Sequence, residues 1–167
     1  MIDLDEPRFT MSQVARATRG KANTIFSWFQ RGHFALGKKD VQAENGLGHG
    51  ISLRTALEVG IAVELYKQCD LHPAIGAKLA REFTQLGDDH RDPGELFPQD
   101  ATGRVFTVLV VYPGLEHAKV VRMTPKTAMV DAFIADQYGR QTAATLIWLN
   151  FIDRDLRVAL LQDGKEA

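Results

Sequence analysis

Apolar residues recur at spacings of three and four along the first half of the chain, and unbroken β-branched and aromatic runs replace them after residue 104. The change of period predicts helices first and a mixed α/β unit second. In FTMSQVARATRG, Thr10 stands three residues before Gln13, a capping-box spacing that predicts a short helix with Val14, Ala15 and Ala17 on its apolar side. Gly20 is the expected stop. In NTIFSWFQRG, Asn23 is the expected cap, and Ile25, Phe26, Trp28 and Phe29 carry more apolar bulk than so short a helix can hide, so they are expected to pack on neighbours. Gly32 closes this second helix, leaving two helices of about two turns joined by roughly four residues, the spacing of a helix-turn-helix.

HFALGKKDVQAENGLGHG has little helical periodicity and predicts a loop or small ribbon turning at Asn45-Gly46. Ser52 caps a longer helix with Leu53, Leu57, Ile61 and Leu65 four apart, ending near Cys69. Pro73 opens a fourth helix, which ends by Gly87. GDDHRDPGELFPQDATG is rich in Asp, Pro and Gly, so residues 88–103 read as a linker. Beyond it, RVFTVLVVYPG and EHAKVVRM predict a hairpin, KTAMVDAFIADQYG a helix ended by Gly139, TLIWLN a third strand and FIDRDLRVALLQ a last helix. The expected organisation is a mainly α unit over residues 1–87 and a small β-β-α-β-α unit over residues 104–167. The second unit is small enough that its own core is marginal, and support from the first unit or another copy is expected.

With 167 residues, 45% hydrophobic and 25% charged, the composition is that of an ordinary folded protein. Cys69 is the single cysteine, which excludes an internal disulfide and any cysteine-rich metal centre within one chain, and fits a reducing compartment. MIDLDEPRF does not read as a signal peptide, and no apolar run reaches the length of a membrane span, so a cytoplasmic protein without a membrane partner is expected.

The net charge of -1 conceals a gradient. Residues 8–54 hold Arg8, Arg16, Arg19, Lys21, Arg31, Lys38, Lys39 and Arg54 against Asp40 and Glu44, a local charge of +6. The first seven residues carry -3 and residues 55–167 carry -4. A basic segment laid over a helix-turn-helix points to double-stranded DNA, whose major groove admits the second helix. Thr24 and Ser27 are the expected base-facing positions, with Asn23 beside them, while Lys21 and Arg31, helped by Arg16 and Arg19, are expected at phosphates. The plainer reading makes Trp28 and Phe29 core and the arginines solvation.

FTMSQVARATRGKANTIFSWFQRGHF, the glycine-rich insert, and ISLRTALEVGIAVELYKQCDLHPAIGAKLA together resemble the DNA-binding domain of the MerR family and of excisionase-like winged-helix relatives, over roughly residues 8–85. The resemblance implies a winged helix-turn-helix in which Thr24, Ser27 and Arg31 lie at the recognition helix and Lys38, Lys39 and His49 in the wing. Where the family commonly carries an Arg-Tyr-Tyr-like patch, this chain has Phe26, Ser27, Trp28 and Phe29. Strands stand where a long dimerisation helix would follow, so promoter twisting is not carried over.

Cys69 and His72 lie three apart, but two ligands do not define a metal site, and His33, His49, His90 and His117 lack zinc spacing. No phosphate loop, nucleotide fingerprint, nucleophile elbow or HExxH occurs, and Asp153 and Asp155 do not share a helix face. A non-enzymatic protein without a cofactor or metal is expected. The leading expectation is a sequence-specific transcriptional regulator, a homodimer on paired half-sites assembled through residues 104–167, a unit that also suits ligand or protein binding. The alternatives are a protein-interaction adaptor on a winged-helix scaffold, and an accessory protein of phage-like DNA packaging or recombination.

Overall fold

The helix that follows Ser52 is apolar on almost every side, and the other elements are arranged to cover it. The computed structural model describes residues 3–37, 39–40, 50–112, 114, 117–126, 134–135, 139–140 and 144–162. In chain order they form β1 (Pro7–Phe9), α1 (Met11–Ala17), α2 (Ala22–Gln30), β2 (Ile51–Ser52), α3 (Leu53–Cys69), α4 (Pro73–Thr84), β3 (Phe106–Val111), β4 (Ala118–Met123), β5 (Ile134–Ala135), β6 (Gly139–Arg140), β7 (Thr145–Trp148) and α5 (Leu149–Gln162). A mainly helical N-terminal region with a two-stranded sheet is thus followed by an α/β region with a three-stranded sheet.

α3 buries Leu53, Leu57, Ile61 and Leu65 at the expected spacing of four, and Ala56, Val59, Ala62 and Val63 between them. A helix buried all round must lie at the centre of its protein. α4 packs along it, and α5 crosses it at Gly60, where a Cβ would come within 2.8 Å of Leu156 Cδ1. The start of α3 follows the sequence reading, with the Ser52 hydroxyl accepting the Thr55 N–H at 3.3 Å. Pro73 sits in the first turn of α4, where His72 Nδ1 accepts the Ala74 N–H at 3.3 Å.

β3 is the middle strand of the order β4-β3-β7, antiparallel to both neighbours, with Val108 opposite Val121 on one side and Trp148 on the other. Its alternation sends Leu109 and Val111 into the same core as α3, while Val108, Val110 and Tyr112 form a second cluster with Met123. Leu149, Leu156 and Leu160 of α5 join the first core. The C-terminal region therefore shares its largest apolar cluster with the N-terminal helices.

One expectation is corrected, and two further features go beyond the sequence reading. The helix expected over residues 126–139 does not run to Gly139: Ile134–Ala135 and Gly139–Arg140 pair as antiparallel strands, while residues 127–133 lie outside those described. β2 pairs with β1, a strand that PRF is too short to announce. Residues 88–103 are fastened to both regions. Phe97 is buried and its N–H donates to Thr107 Oγ1 at 2.8 Å, and Gln99 exchanges two hydrogen bonds with the Val105 backbone.

Arg91 anchors this segment. Its buried Nη1 donates to the carbonyls of Phe83, Asp92 and Glu95 and its Nη2 to that of Leu86 at 2.5 Å, so it satisfies acceptors at the end of α4. The guanidinium also lies over the rings of Phe83 and Phe97. Burial pushes its pKa down and Asp88 opposes that, yet an arginine stays charged. Arg91→Met keeps the ring contacts but takes a donor from four carbonyls, of which Phe83 and Asp92 keep a backbone N–H and Leu86 and Glu95 do not, and is expected to lower the unfolding free energy by about 3 kcal/mol in urea titrations. A loss below about 0.5 kcal/mol would remove this role.

Glu58 is the one buried carboxylate on the described part of α3, held by Arg81 Nε at 3.1 Å. Burial raises its pKa, with Arg81 pulling the other way. A folded-state pKa above the unfolded one means that the fold holds the proton longer, so this contribution to stability is complete at acid pH and is lost as pH rises through the folded value. Glu58→Gln, which still accepts from Arg81, is expected to gain stability relative to the natural protein as pH rises from about 4 to 7. Parallel pH profiles of the two proteins would exclude the effect.

Candidate nucleic-acid interface

α1 and α2 form a corner whose two exits are built alike. Thr10 and Gln13 close the capping box of α1, with the Gln13 N–H on Thr10 Oγ1 at 3.2 Å and the Thr10 N–H on Gln13 Oε1 at 2.8 Å. At its other end the Arg19 N–H donates to Arg16 O and the Gly20 N–H to Ala15 O, at 3.0 and 2.9 Å. This is a Schellman arrangement, and the left-handed position belongs to Arg19, with φ +52°, rather than to the expected Gly20. α2 ends the same way, with Gly32 at φ +73° and the His33 N–H on Trp28 O at 3.0 Å. Glycine holds this conformation without a Cβ clash, whereas arginine is strained there. Lys67 of α3 steadies the strained turn by donating to the carbonyls of Thr18 and Arg19 at 3.4 and 3.0 Å.

α2 begins at Ala22, one residue before the expected cap Asn23, because the Lys21 carbonyl accepts from both Thr24 and Ile25 N–H at 3.0 Å. Lys21 occupies the cap position without a side-chain bond, and Asn23 lies in the first turn, exposed. Ile25 and Trp28 are buried, Trp28 stacking on Phe34 at 5.9 Å and meeting Tyr66 edge-on at 5.5 Å. Phe26, expected among this packed bulk, is instead 44% exposed. It lies three residues from Asn23 and four from Gln30, so the three share the outward face. Thr24 and Ser27 are half-buried at the edge of that face, the Ser27 hydroxyl donating to the Thr24 carbonyl at 2.8 Å.

The cations of this region divide into two sets. Arg8 pairs with Glu6, Lys39 with Asp3 at 3.2 Å, and Arg54 with Asp5 at 2.6 Å. The acidic N-terminal residues thus fold back onto three of the eight basic groups. Arg54 is structural, since its Nη1 also donates to the carbonyls of Thr84 and Pro93 at 2.6 and 2.7 Å. The Arg54 guanidinium holds the Asp5 carboxyl below its ordinary range, and the Asp5 backbone N–H, followed by Lys39, does the same to Asp3. Among the described residues no carboxylate pairs with Arg19, Lys21 or Arg31. All three are exposed, at the turn before α2 and at its two ends, and Arg16 is exposed in the last turn of α1.

The expected wing lies mostly outside the described residues, including Lys38 and His49. Its feet are described: Asp40 Oδ2 accepts the Gly37 N–H and its Oδ1 the Ser52 N–H, both at 2.9 Å, while Thr55 Oγ1 donates to it at 2.5 Å. One carboxylate therefore gathers the two ends of the insert at the start of α3. His72 caps α4 and meets the His33 ring edge-on at 5.1 Å, and among the described residues no three metal-ligating side chains converge. No described helix is long and apolar enough to cross a membrane. Comparisons with protein-family models, curated proteins and solved structures find no match to the chain.

Arg19→Gly relieves the left-handed strain and is expected to raise the unfolding free energy by about 1 kcal/mol, read as a higher urea midpoint at unchanged slope. A destabilised variant would show that the Arg19 side chain, not its charge in solution, holds the corner together.

Proposed function

We propose that the α1–α2 corner is a helix-turn-helix that reads double-stranded DNA, and that the protein is a sequence-specific transcriptional regulator. The observation that carries this reading is the distribution of charge: Arg19, Lys21 and Arg31 bracket α2 without carboxylate partners among the described residues, and Arg19 keeps its place at the expense of backbone strain. Strain of this kind gathers at functional sites. With α2 in the major groove, Asn23, Ser27 and Gln30 face base edges, Phe26 meets thymine methyl groups, and Arg16, Arg19, Lys21 and Arg31 meet phosphates. The paired Lys39 contributes less than the resemblance to MerR-like wings implies. Assembly as a homodimer on paired half-sites goes with this reading, and Val158, 48% exposed on α5, supports an outward contact there.

A second reading, a protein-interaction adaptor, draws on the same exposed Phe26, since aromatic groups are favoured at the centre of protein interfaces.

The deciding experiment selects duplexes from a random pool and measures affinity for the selected and scrambled sequences over a salt series. If the four cations neutralise phosphates, log K falls with log salt at a slope of about -3.6 per subunit. Lys21→Ala and Arg31→Ala each flatten it by about 0.9, and Lys39→Ala by less. Equal, weak binding of both duplexes, with a stable protein complex abolished by Phe26→Ala, would replace DNA reading with the adaptor role.

A further inference from the structure

A cleft of about 490 Å3 opens behind the corner, between the α1–α2 turn, α3 and the β7–α5 junction. Its size falls in the roughly 300–1,000 Å3 range of small-molecule sites. The apolar floor is formed at Gly60, Ile152 and Leu156, and the rim by Trp148 and Phe151, which are 37% and 47% exposed. Large aromatic groups left open around an apolar floor bind poorly to water and well to a flat apolar body.

The polar groups of the cleft set the sign of its ligand. Glu64 is half-buried and, among the described residues, no hydrogen bond or ion pair satisfies it. Asp155 is already held by Arg154 at 2.8 Å, and Arg154 in turn lies over the Phe151 ring at 5.4 Å, so a cation already rests on this rim. Arg19, and Lys67 with its Nζ on the Thr18 and Arg19 carbonyls, are the opposing charges. Both are exposed and screened by water, whereas a ligand that fills the cleft dries Glu64 and strengthens its attraction. Tryptophan is also the aromatic side chain that attracts cations most strongly.

We infer that this cleft is a binding site for a small organic cation with an aromatic or apolar body, its charge on Glu64 and its body against Trp148 and Phe151. The inference stands independently of DNA reading.

Tetraphenylphosphonium and tetraphenylborate, bodies of like shape and opposite charge, test it on the full chain by calorimetry. The cation is expected to bind saturably, one per chain, and to quench the fluorescence of Trp148, while the buried Trp28 keeps its emission. Glu64→Gln should weaken binding about tenfold and Trp148→Leu at least as much. Glu64 is half-buried and Trp148 exposed, and unchanged circular dichroism and urea midpoints establish that the variants fold. Equal binding of the anion, full affinity in Glu64→Gln, or no saturable binding would each overturn the inference. So would a concentration-dependent dimer that Trp148→Leu dissociates and that excludes the cation, which would assign the rim to a second copy of the chain.

Discussion

Burying α3 on almost every side up to Leu65 is the constraint from which the rest of the architecture follows. A helix with Leu53, Leu57, Ile61 and Leu65 along one row and Ala56, Val59, Ala62 and Val63 between them cannot lie at the edge of anything. α4 alone covers one side. The remaining surface is closed by α1 and by α5, which belongs to the C-terminal sheet region. A region of that size is marginal alone. Sharing the α3 core resolves that difficulty, and it makes removal of either region a loss of core for the other.

The same economy governs charge. Along the sequence the basic groups of residues 8–54 look equivalent, but the fold gives them different work. Arg54 ties Asp5 to the end of α4 and to Pro93, and Arg91 gathers carbonyls from α4 and the segment beyond it. Planar guanidinium groups suit such positions because one group reaches several acceptors in fixed directions. The first residues of the chain neutralise Arg8 and Lys39 as well. Among the described residues, Arg19, Lys21 and Arg31, with no carboxylate partner, stand around α2. A gradient read over the whole segment therefore overstates the charge that the fold leaves without carboxylate partners.

Local signals were legible in the sequence wherever a side chain bonds its own backbone. Thr10 with Gln13, Ser52 and Pro73 mark helix starts because the chemistry of a cap lies within three or four residues. The first helix pair, the hairpin of β3 and β4, β7 and the last helix were legible for similar reasons. Orientation was not. Phe26 and Phe29 are equally apolar in sequence, and only the placement of α2 against Phe34 and Tyr66 leaves one outward. Arg19 at the left-handed position was hidden because the adjacent Gly20 offered the cheaper answer. The hydrogen bonding of residues 88–103 was not legible in their composition, since one buried arginine can order a segment that has few apolar residues.

The corner and the cleft meet at the turn between α1 and α2. Thr18 and Arg19 line the cleft on one side, and their carbonyls are the acceptors for Lys67. Gly60, Glu64 and Lys67 lie within two turns of the same helix, so the wall of the cleft and the side chain that steadies the turn move as one body. Arg19 sits in a strained conformation and has little to lose from a change in its surroundings. A ligand that favours one arrangement of this turn shifts its population in proportion to that preference, and anything binding the outer face of α2 must shift ligand affinity by the same factor. The shared turn thus supplies a short physical route between the two surfaces, through backbone that both would touch.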